Sequence, residues 1–394
     1  MLLNGRVLLI YLTSFVSPFS TNAVLALVPD LKATFAASAP QILASVTTYM
    51  VPYALLMLIS GAISDAYGRR LIATAGLGIF AVGSAVIVFS PDLNLFLAGR
   101  AVQGAGFALV QPILQALLGD LVPRAELGKA MGYSNGASAA GVASGPLVAG
   151  ALSLIDWRGV FVITGVYAVI ALFLFLKLFE DDRVSTRPEE GVATVLKKGA
   201  RAKGIVPLCI AGFLTFLSYI GMMSFVSDLL SLPPLHLDES YIGVVLGIAG
   251  LSGVAISPFS GRVSDKFGRF TGAASGFSLM IVSLLLITVS TTMIEYILTL
   301  SLLRIGTSFC WSSMLATSVE ISAKYKGAVS SIFNTVRYSG YALAPVAFAP
   351  LYNATDVKAI GYVSAIGAVA AFISVAIARV MINKREKEEA QSAT

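Results

Sequence analysis

Three arginines fall inside long apolar stretches of this sequence, where charged side chains are rare. Arg100 and Arg304 lie eight and nine residues beyond an acidic residue that precedes or begins the stretch, and Arg337 lies eleven residues beyond Lys326. An arginine in an apolar environment costs about 2.5 kcal/mol or more on insertion scales, so it needs polar partners or an anionic ligand. Arg100, with Arg304 as its counterpart in the second half, is predicted to face the bundle and to bond to backbone or polar partners. Arg337 predicts either a fixed cation for an anionic or zwitterionic ligand, or a structural arginine that bonds to helix carbonyls.

The other residue types that carry chemistry are placed unfavourably for catalysis. All 21 Asp and Glu residues lie in polar segments or near the ends of apolar runs, Asp30 and Asp228 among them. His236 is the single histidine, and Cys209 and Cys310 both lie in apolar runs, so we predict neither a metal site nor a disulfide framework. An intramembrane enzyme would need a metal cluster or a nucleophile with its base. We therefore expect no enzyme and no cofactor.

The elements that must position these residues are membrane-spanning helices. Hydrophobic residues make up 57% of the chain and charged residues 12%, against about 25% charged in soluble domains. A span needs about 20 apolar residues. The apolar runs are 7–29, 41–63, 71–91, 94–118, 130–154, 159–178, 205–229, 241–260, 271–290, 295–318, 328–351 and 359–380. This pattern predicts an all-α membrane protein of twelve transmembrane helices, with the first run retained rather than cleaved as a secretory signal.

The distribution of basic residues predicts the topology. With the N-terminus inside, 21 of the 27 Lys and Arg residues fall in segments on the cytoplasmic side. Both termini are therefore predicted to be cytoplasmic in a cell membrane (inner or plasma membrane), and the net charge of +6 reflects topology rather than nucleic-acid binding. The polar stretch 180–204 is predicted to be a solvated linker or, alternatively, a regulatory or lipid-binding basic segment.

One ten-residue stretch occurs twice, at Gly61 to Arg70 and at Gly261 to Phe270, with Gly, Asp, Gly and Arg at the same relative positions. The offset of 200 residues is about half the chain. It predicts two homologous six-helix bundles, 1–179 and 205–381, followed by a tail at 382–394. Two glycines permit a tight turn between helices, and a carboxylate beside arginines forms a breakable charge network.

The first copy resembles the loop motif of the major facilitator superfamily, Gly-x-Leu-Ala-Asp-x-x-Gly-Arg-Lys/Arg. Ile63 replaces the leucine, and Ala66 occupies a position that is often basic. The resemblance implies a cytoplasmic gate whose aspartate braces the outward-facing state against the start of the eleventh helix. Its predicted residues are Gly61, Asp65, Gly68, Arg69, Arg70, Gly261, Asp265, Gly268 and Arg269.

Two further stretches are similar to motifs of the same superfamily. Arg100 to Gly106 resembles Arg-x-x-Gln-Gly-x-Gly, whose arginine is implicated in proton coupling, although it also has a structural reading as a brace for the first helix. The coupling candidates are Arg100, Gln103, Asp30 and Asp228. The fifth span looks like the motif of drug and metabolite antiporters through Gly132, Gly141, Gly145, Pro146 and Gly150, with Ala149 replacing one glycine. Small residues there, including Gly136, are expected to let helices approach closely.

Several spans carry polar and aromatic residues on one helical face, which predicts the wall of a cavity. For any one of them, an interhelical hydrogen bond or a packing contact is the simpler interpretation. The candidates are Asn22, Tyr49, Tyr53, Gln111, Gln115, Asn135, Tyr219, Trp311, Asn334, Arg337 and Tyr341. A wall of aromatic, thioether and polar groups suits amphipathic ligands.

The sequence therefore predicts a secondary active transporter that works by alternating access in the cell membrane. The leading hypothesis is export of small amphipathic compounds by proton antiport, although no carboxylate reaches a midplane. The alternative is transport of a small organic anion, including symport, with Arg337 as counter-charge. An ion or proton gradient would supply the energy, and we expect a monomer whose partners are a small molecule and the bilayer. A receptor or scaffold without transport would have little need for both loop motifs.

Overall fold

A computed structural model describes residues 4–180, 192–322, 326–354 and 357–392. This part of the chain is built from helices and contains no strand. The helices are α1 (Gly5–Ala26), α2 (Val28–Phe35), α3 (Ala39–Tyr67), α4 (Arg69–Val88), α5 (Leu93–Leu121), α6 (Arg124–Ser153), α7 (Gly159–Leu178), α8 (Val192–Ala200), α9 (Ile205–Ser231), α10 (Glu239–Phe267), α11 (Arg269–Ile287), α12 (Met293–Glu320), α13 (Lys326–Ala354) and α14 (Val357–Ser392).

The helices confirm the predicted all-α membrane fold. Ten helices of the described chain are long and apolar enough to cross a bilayer. The other two predicted spans correspond to α6 and α13, which are 30 and 29 residues long. At 1.5 Å per residue each exceeds the roughly 30 Å of hydrocarbon. Both are rich in glycine, alanine and serine, which lowers their hydropathy and permits close packing.

The chain divides into two compact units. Unit 1 comprises Met1–Arg187 together with Ser224–Val254, and unit 2 comprises Pro188–Met223 together with Ala255–Thr394. Unit 1 therefore contains α1 to α7, the end of α9 and the first half of α10. The division of the sequence into two bundles joined at 180–204 stays a prediction.

The repeated loops are shorter than the sequence predicted. We expected both glycines of each copy to serve the turn, but α3 continues through Gly61 to Tyr67 and α10 continues through Gly261 to Phe267. Only Gly68 and Gly268 leave the helical conformation, with φ of 98° and 93°. A side chain is strained at such φ values, so a single glycine makes each turn. We call the end of each unit that carries this glycine the loop end, and the opposite end the far end.

Capping residues set several other helix ends. Asp92 accepts a hydrogen bond from the Leu95 N–H at the start of α5. Thr292 and Glu295 form a capping box at the start of α12. The first predicted span is interrupted where Pro29 opens the separate short helix α2.

The predicted linker lies partly outside the described residues, at 181–191. Its remaining part was predicted as solvated chain, but residues 192–200 form α8, which packs against α13.

The helices that carry Arg100 and Arg304 pack closely against their neighbours in each unit. In unit 1, a Cβ on Gly106 would lie 2.5 Å from the Phe80 backbone nitrogen, and one on Gly83 would lie 2.6 Å from the Gln103 nitrogen. In unit 2, a Cβ on Gly276 would lie 2.6 Å from the Cys310 nitrogen. These contacts are too short for any side chain. Glycine therefore allows α4 to touch α5, and α11 to touch α12, along their backbones.

Candidate functional site

Arg100 is fully buried in unit 1, at 0% exposure, and is held by polar and aromatic partners. Its Nη1 donates to Gln103 Oε1 at 2.8 Å and to Ser20 Oγ at 3.3 Å. Its guanidinium carbon lies 4.5 Å from the centre of the Tyr49 ring. Gln103 in turn donates to Ser84 Oγ at 2.8 Å. The prediction that Arg100 faces the bundle and bonds to polar groups is confirmed.

Glycine 104 explains why Tyr49 stands next to this arginine. A Cβ on Gly104 would lie 2.0 Å from the Tyr49 backbone oxygen, so α3 and α5 touch here along their backbones. The Tyr49 hydroxyl lies 2.6 Å from Ser17 Oγ of α1. Tyr53 stacks one turn later, with ring centres 6.1 Å apart. Arginine, amide and phenol thus join α1, α3, α4 and α5 in one network.

Unit 2 holds a counterpart on α12. Arg304 Nη1 donates to the Tyr219 hydroxyl at 2.9 Å, and its guanidinium carbon lies 5.3 Å from the centre of that ring. Tyr219 is buried in α9, and a neighbouring ring, Phe216, lies 6.4 Å away. Both units therefore pair an arginine, Arg100 on α5 or Arg304 on α12, with a buried tyrosine, which lies on α3 in unit 1 and on α9 in unit 2.

Arg337 on α13 is enclosed by aromatic rings. Its guanidinium carbon lies 3.5 Å from the centre of the Trp311 ring, 4.1 Å from Tyr338 and 4.6 Å from Phe216. The residue is 5% exposed and begins the fourth turn of a 29-residue helix. Aromatic faces stabilise a desolvated cation by about 2 kcal/mol. The sequence singled out Arg337 and Trp311 separately, and the fold brings them together.

Some of the remaining candidates for the cavity wall form hydrogen bonds, whereas others differ in their exposure or ring contacts. Asn334 and Asn22 each donate to the carbonyl four residues earlier, at 2.9 and 2.8 Å. Gln115 donates to Ser134 Oγ at 3.3 Å. Gln115 therefore makes the interhelical hydrogen bond that the simpler interpretation expected, whereas Asn22 and Asn334 bond within their own helices.

Three further wall candidates differ in burial. Gln111 is half-buried and Asn135 is exposed. Tyr341 is 7% exposed and its ring centre lies 6.2 Å from that of Phe216, so it extends the aromatic cluster around Arg337.

The loop arginines are tied to two carboxylates, Asp120 and Glu320, that the sequence analysis missed. In unit 1, Arg69 forms an ion pair with Asp120 at the end of α5. In unit 2, Arg269 pairs with Asp265 and donates to Glu320 Oε1 through Nε at 3.0 Å and Nη2 at 2.8 Å. Asp120 and Glu320 are 200 residues apart, as Arg69 and Arg269 are. The offset of 200 residues that relates the two loops thus also relates these two carboxylates, and it could have identified them from the sequence.

Two other residues of the first loop differ in what the structure says of them. Asp65 lies in α3, but its side chain lies outside the described atoms, so the predicted brace stays a prediction. Arg70 donates to the Leu176 carbonyl of α7 at 2.7 Å. One loop residue therefore anchors to the backbone of a neighbouring helix.

The coupling candidates Asp30 and Asp228 lie at the far end of unit 1. Asp228 is 1% exposed and pairs with Lys32 of α2. Asp30 is half-buried, and its Oδ2 has no hydrogen-bond donor among the described residues. Burial raises the pKa of Asp30 to about 6, with further contributions from Glu239 and Asp156. These carboxylates are well separated in sequence from Arg100.

The glycines of the fifth-span motif do not all have the same role. A Cβ on Gly141 would lie 2.3 Å from the Phe15 oxygen, and one on Gly145 would lie 2.5 Å from the Phe19 oxygen, so α6 touches α1. Gly150 meets the first turn of α10 in unit 1, where the Glu239 oxygen is 2.4 Å away.

The prediction that Gly132 and Gly136, at the start of the motif, let helices approach closely is wrong. Apart from the neighbouring backbone of α6 itself, no described atom lies within 4 Å of the Cβ positions of Gly132 and Gly136. Further along, a Cβ on Gly243 of α10 would lie 2.6 Å from the Pro146 oxygen. The tight part of the motif is therefore its second half, Gly141 to Gly150.

Comparison with known proteins gives consistent results. The sequence model described as Major Facilitator Superfamily matches residues 10–345. The chain is 28% identical to an uncharacterized MFS-type transporter, YybF, of Bacillus subtilis, over 64% of this chain and 65% of that protein. It is 25% identical to a second, YceJ, over 89% and 90% of the two chains. It is 25% identical to the lincomycin resistance protein LmrB of Listeria monocytogenes, over 75% of each chain.

A solved structure shares the fold. A bacterial homolog of the human lysosomal transporter Spinster, in an inward-facing and unoccupied conformation, aligns with a TM-score of 0.72. The alignment covers 96% of this chain and 95% of that one, at 16% identity. At this identity the similarity concerns the fold alone.

Proposed function

We propose a specific activity for this chain, which belongs to the Major Facilitator Superfamily and is a multi-pass membrane transporter rather than an enzyme. In this proposal it exports small amphipathic compounds from the cell by alternating access in the cell membrane, driven by proton antiport. Each part of the proposal has separate support and a separate test.

The observation that carries the substrate class is the aromatic cluster of unit 2. Phe216, Trp311 and Tyr338 contact the buried cation Arg337, and Tyr341 packs against Phe216. Trp311 and Tyr338 remain half-buried rather than sealed in the core. Aromatic faces bind rings and lipophilic groups of varied shape, while a few polar groups orient them. This composition fits compounds with one apolar and one polar side.

Export is supported by the fifth-span motif and by a relative. Gly141 and Gly145 bring α6 into backbone contact with α1, as the motif shared with drug and metabolite antiporters predicts. The lincomycin resistance protein named above matches three quarters of the chain. Resistance to a drug is a typical consequence of its removal from the cell.

Proton antiport needs a group that changes protonation during the cycle. Asp30 is the best carrier that the described residues offer, because its pKa of about 6 lies near working pH values. Asp228 is the second candidate, and its charge is matched by Lys32. If either carries the coupled proton, its asparagine variant will transport substrate down its gradient without moving protons. Intact coupling in both variants would exclude these two residues.

Transport of a small organic anion is the second candidate function, and Arg337 is the observation that favours it. A buried guanidinium can pair with a carboxylate through its in-plane N–H groups even when rings cover its faces. In this case Arg337 is the counter-charge of the substrate. This second hypothesis includes uptake of the anion by symport. The export hypothesis instead gives Arg337 a structural role.

The test measures substrate-induced proton movement in proteoliposomes with a pH-sensitive dye. Lipophilic cations and small organic anions are applied separately to the wild type, Arg337→Ala and Arg337→Lys. Under the export hypothesis, lipophilic cations drive proton exchange in all three proteins. Under the anion hypothesis, only anions respond, Arg337→Ala is silent, and Arg337→Lys retains a reduced response because it keeps the charge.

Elution as a single species in detergent separates loss of function from loss of folding. If no compound of either class moves protons, although counterflow of radiolabelled compound across the same vesicles is observed, proton coupling is refuted and transport is not. If neither class moves in any assay, the proposed substrate classes are both wrong.

A further inference from the structure

A cavity of about 270 Å³ lies at the loop end of unit 2, separate from the aromatic cluster around Arg337. It is formed by the start of α9, the first turn of α11 and the final turns of α12, and by α14 between Val375 and Asn383. Neither the loop motif nor the proposed transport of small molecules explains this cavity.

The floor of the cavity is apolar. Leu208, Ala273, Met314, Val375 and Ala378 line it, and all five belong to the hydrophobic core of unit 2. These residues are 1–7% exposed, so the apolar surface that they present is small and lies at the bottom of the cavity. Only a ligand with an apolar part gains from covering such a surface.

The rim of the cavity is polar and carries two arginines, of which one is paired with carboxylates and the other, among the described residues, is not. Arg269 is committed to Asp265 and Glu320. Arg379 is exposed, and its guanidinium carbon lies 4.4 Å from the centre of the Phe270 ring. No carboxylate of the described chain pairs with Arg379. The rim therefore presents a cation whose ring contact fixes its position and leaves its N–H groups for an acceptor.

The first half of the chain arranges the corresponding residues differently. Two hundred residues before Phe270 and Arg379 stand Arg70 and Phe179. In unit 1 the arginine is thus on the loop, where it donates to the Leu176 carbonyl at 2.7 Å. In unit 2 the aromatic residue, Phe270, belongs to the repeated stretch, and the arginine, Arg379, lies on α14. Only the second arrangement leaves the guanidinium over an apolar floor.

We propose that this cavity binds an anionic phospholipid, with its phosphate at Arg379 and the upper part of an acyl chain on the apolar floor. Arg379 lies five residues before Lys384, where the last span ends, and this is the depth at which headgroups meet the hydrocarbon. A guanidinium recognises phosphate through paired N–H groups. Thr271 lines the same cavity and its hydroxyl supplies a further donor, whereas the Thr317 hydroxyl already donates to the Ser313 carbonyl at 2.8 Å.

The test measures thermal unfolding of the purified full-length protein in detergent, with phosphatidylglycerol added in increasing amounts. Phosphatidylcholine and free glycerol 3-phosphate are the comparison ligands. The proteins are the wild type, Arg379→Ala, Arg379→Lys and the control Lys177→Ala. Lys177 is an exposed basic residue in the last turn of α7 in unit 1, away from the cavity. The control loses the same charge at a loop end without touching the site.

Phosphatidylglycerol is expected to stabilise the wild type at lower concentrations than phosphatidylcholine. Arg379→Ala should need about tenfold more phosphatidylglycerol for half-maximal stabilisation, as loss of a charge-assisted hydrogen bond implies. Arg379→Lys should lie between the two, and Lys177→Ala should match the wild type. Glycerol 3-phosphate should have no effect, because it lacks the acyl chain.

Three results would overturn the proposal. If Arg379→Ala responds to phosphatidylglycerol as the wild type does, the lipid does not bind here. If Lys177→Ala loses the response equally, the effect is general attraction of basic residues to anionic lipid. If glycerol 3-phosphate stabilises as well as the lipid, the cavity is a site for soluble anions. Because Arg379 is exposed, its substitution leaves the core intact and the protein folded.

Discussion

Removal of the Lys32 ammonium tests how much the Lys32–Asp228 ion pair at the far end of unit 1 contributes to the free energy of unfolding. Lys32 lies on the short helix α2, and Asp228 lies near the end of α9, 196 residues later in the chain. The Asp228 side chain is 2% exposed and that of Lys32 is 29% exposed. The pair is therefore buried on its acidic side and partly solvated on its basic side.

The size of the effect follows from these exposures. Loss of one partner of a fully buried ion pair costs about 3–5 kcal/mol, because a desolvated charge loses its counter-charge. An exposed pair contributes only about 0.2–1 kcal/mol. Since water still reaches Lys32, we expect Lys32→Ala to destabilise the protein by about 2 kcal/mol. A neutral carboxamide at position 228 should remove most of this penalty.

The assay is thermal unfolding in detergent, followed by circular dichroism, for the wild type, Lys32→Ala, Asp228→Asn and the double variant. In the double-mutant cycle, we expect the double variant to lose less stability than the sum of the single variants, by about 1–2 kcal/mol. Lys358→Ala, which removes an exposed lysine from α14, is the matched control and should change little. Additive losses, or a Lys32→Ala variant as stable as the wild type, would refute the reasoning.

Three other predictions concern backbone contact, protonation and the loop network. Gly104→Ala places a Cβ 2.0 Å from the Tyr49 backbone oxygen and should sharply lower the yield of folded protein. Gly132→Ala faces open space and should be tolerated. The yield of monodisperse protein in detergent checks both expectations. Because the folded protein raises the pKa of Asp30 to about 6, it binds that proton more tightly than the unfolded chain and loses stability as pH rises from about 4 to 6. Asp30→Asn should therefore unfold at a higher temperature than the wild type at pH 8 and at a similar one at pH 4, and a higher unfolding temperature at both pH values would contradict this account. Glu320→Gln keeps one acceptor for Arg269 but removes the charge, so we expect a stability loss of less than about 1 kcal/mol together with a changed transport rate, measured by counterflow in proteoliposomes.

The sequence alone determined the fold class, because its causes are local and repetitive. Runs of about 20 apolar residues form spanning helices wherever the bilayer leaves no other partner for the backbone. The repeat at Gly61 and Gly261 also predicts two homologous halves, and this division stays a prediction. Arg100 was correctly predicted to face polar partners, since the cost of burying a cation does not depend on which partners those are.

The contacts between helices were decided by the tertiary structure. No sequence pattern indicated that Trp311 would cover Arg337, because the two residues lie on different helices and meet only when α12 packs beside α13. It likewise treated Gly132 and Gly141 alike, although one faces open space and the other touches α1.

Helix ends were the other property that the sequence left undetermined. We expected turns from Gly61 and Gly261, but both lie inside helices that extend to Tyr67 and Phe267. A glycine permits a turn without requiring one, and the end of a helix depends on which backbone groups find partners. The partners of Arg69 and Arg269 were missed for the same reason, since Asp120 and Glu320 reach them only after α5 and α12 have packed beside the loops. Composition and spacing thus determined which segments cross the membrane, while the packing of those segments determined which side chains meet.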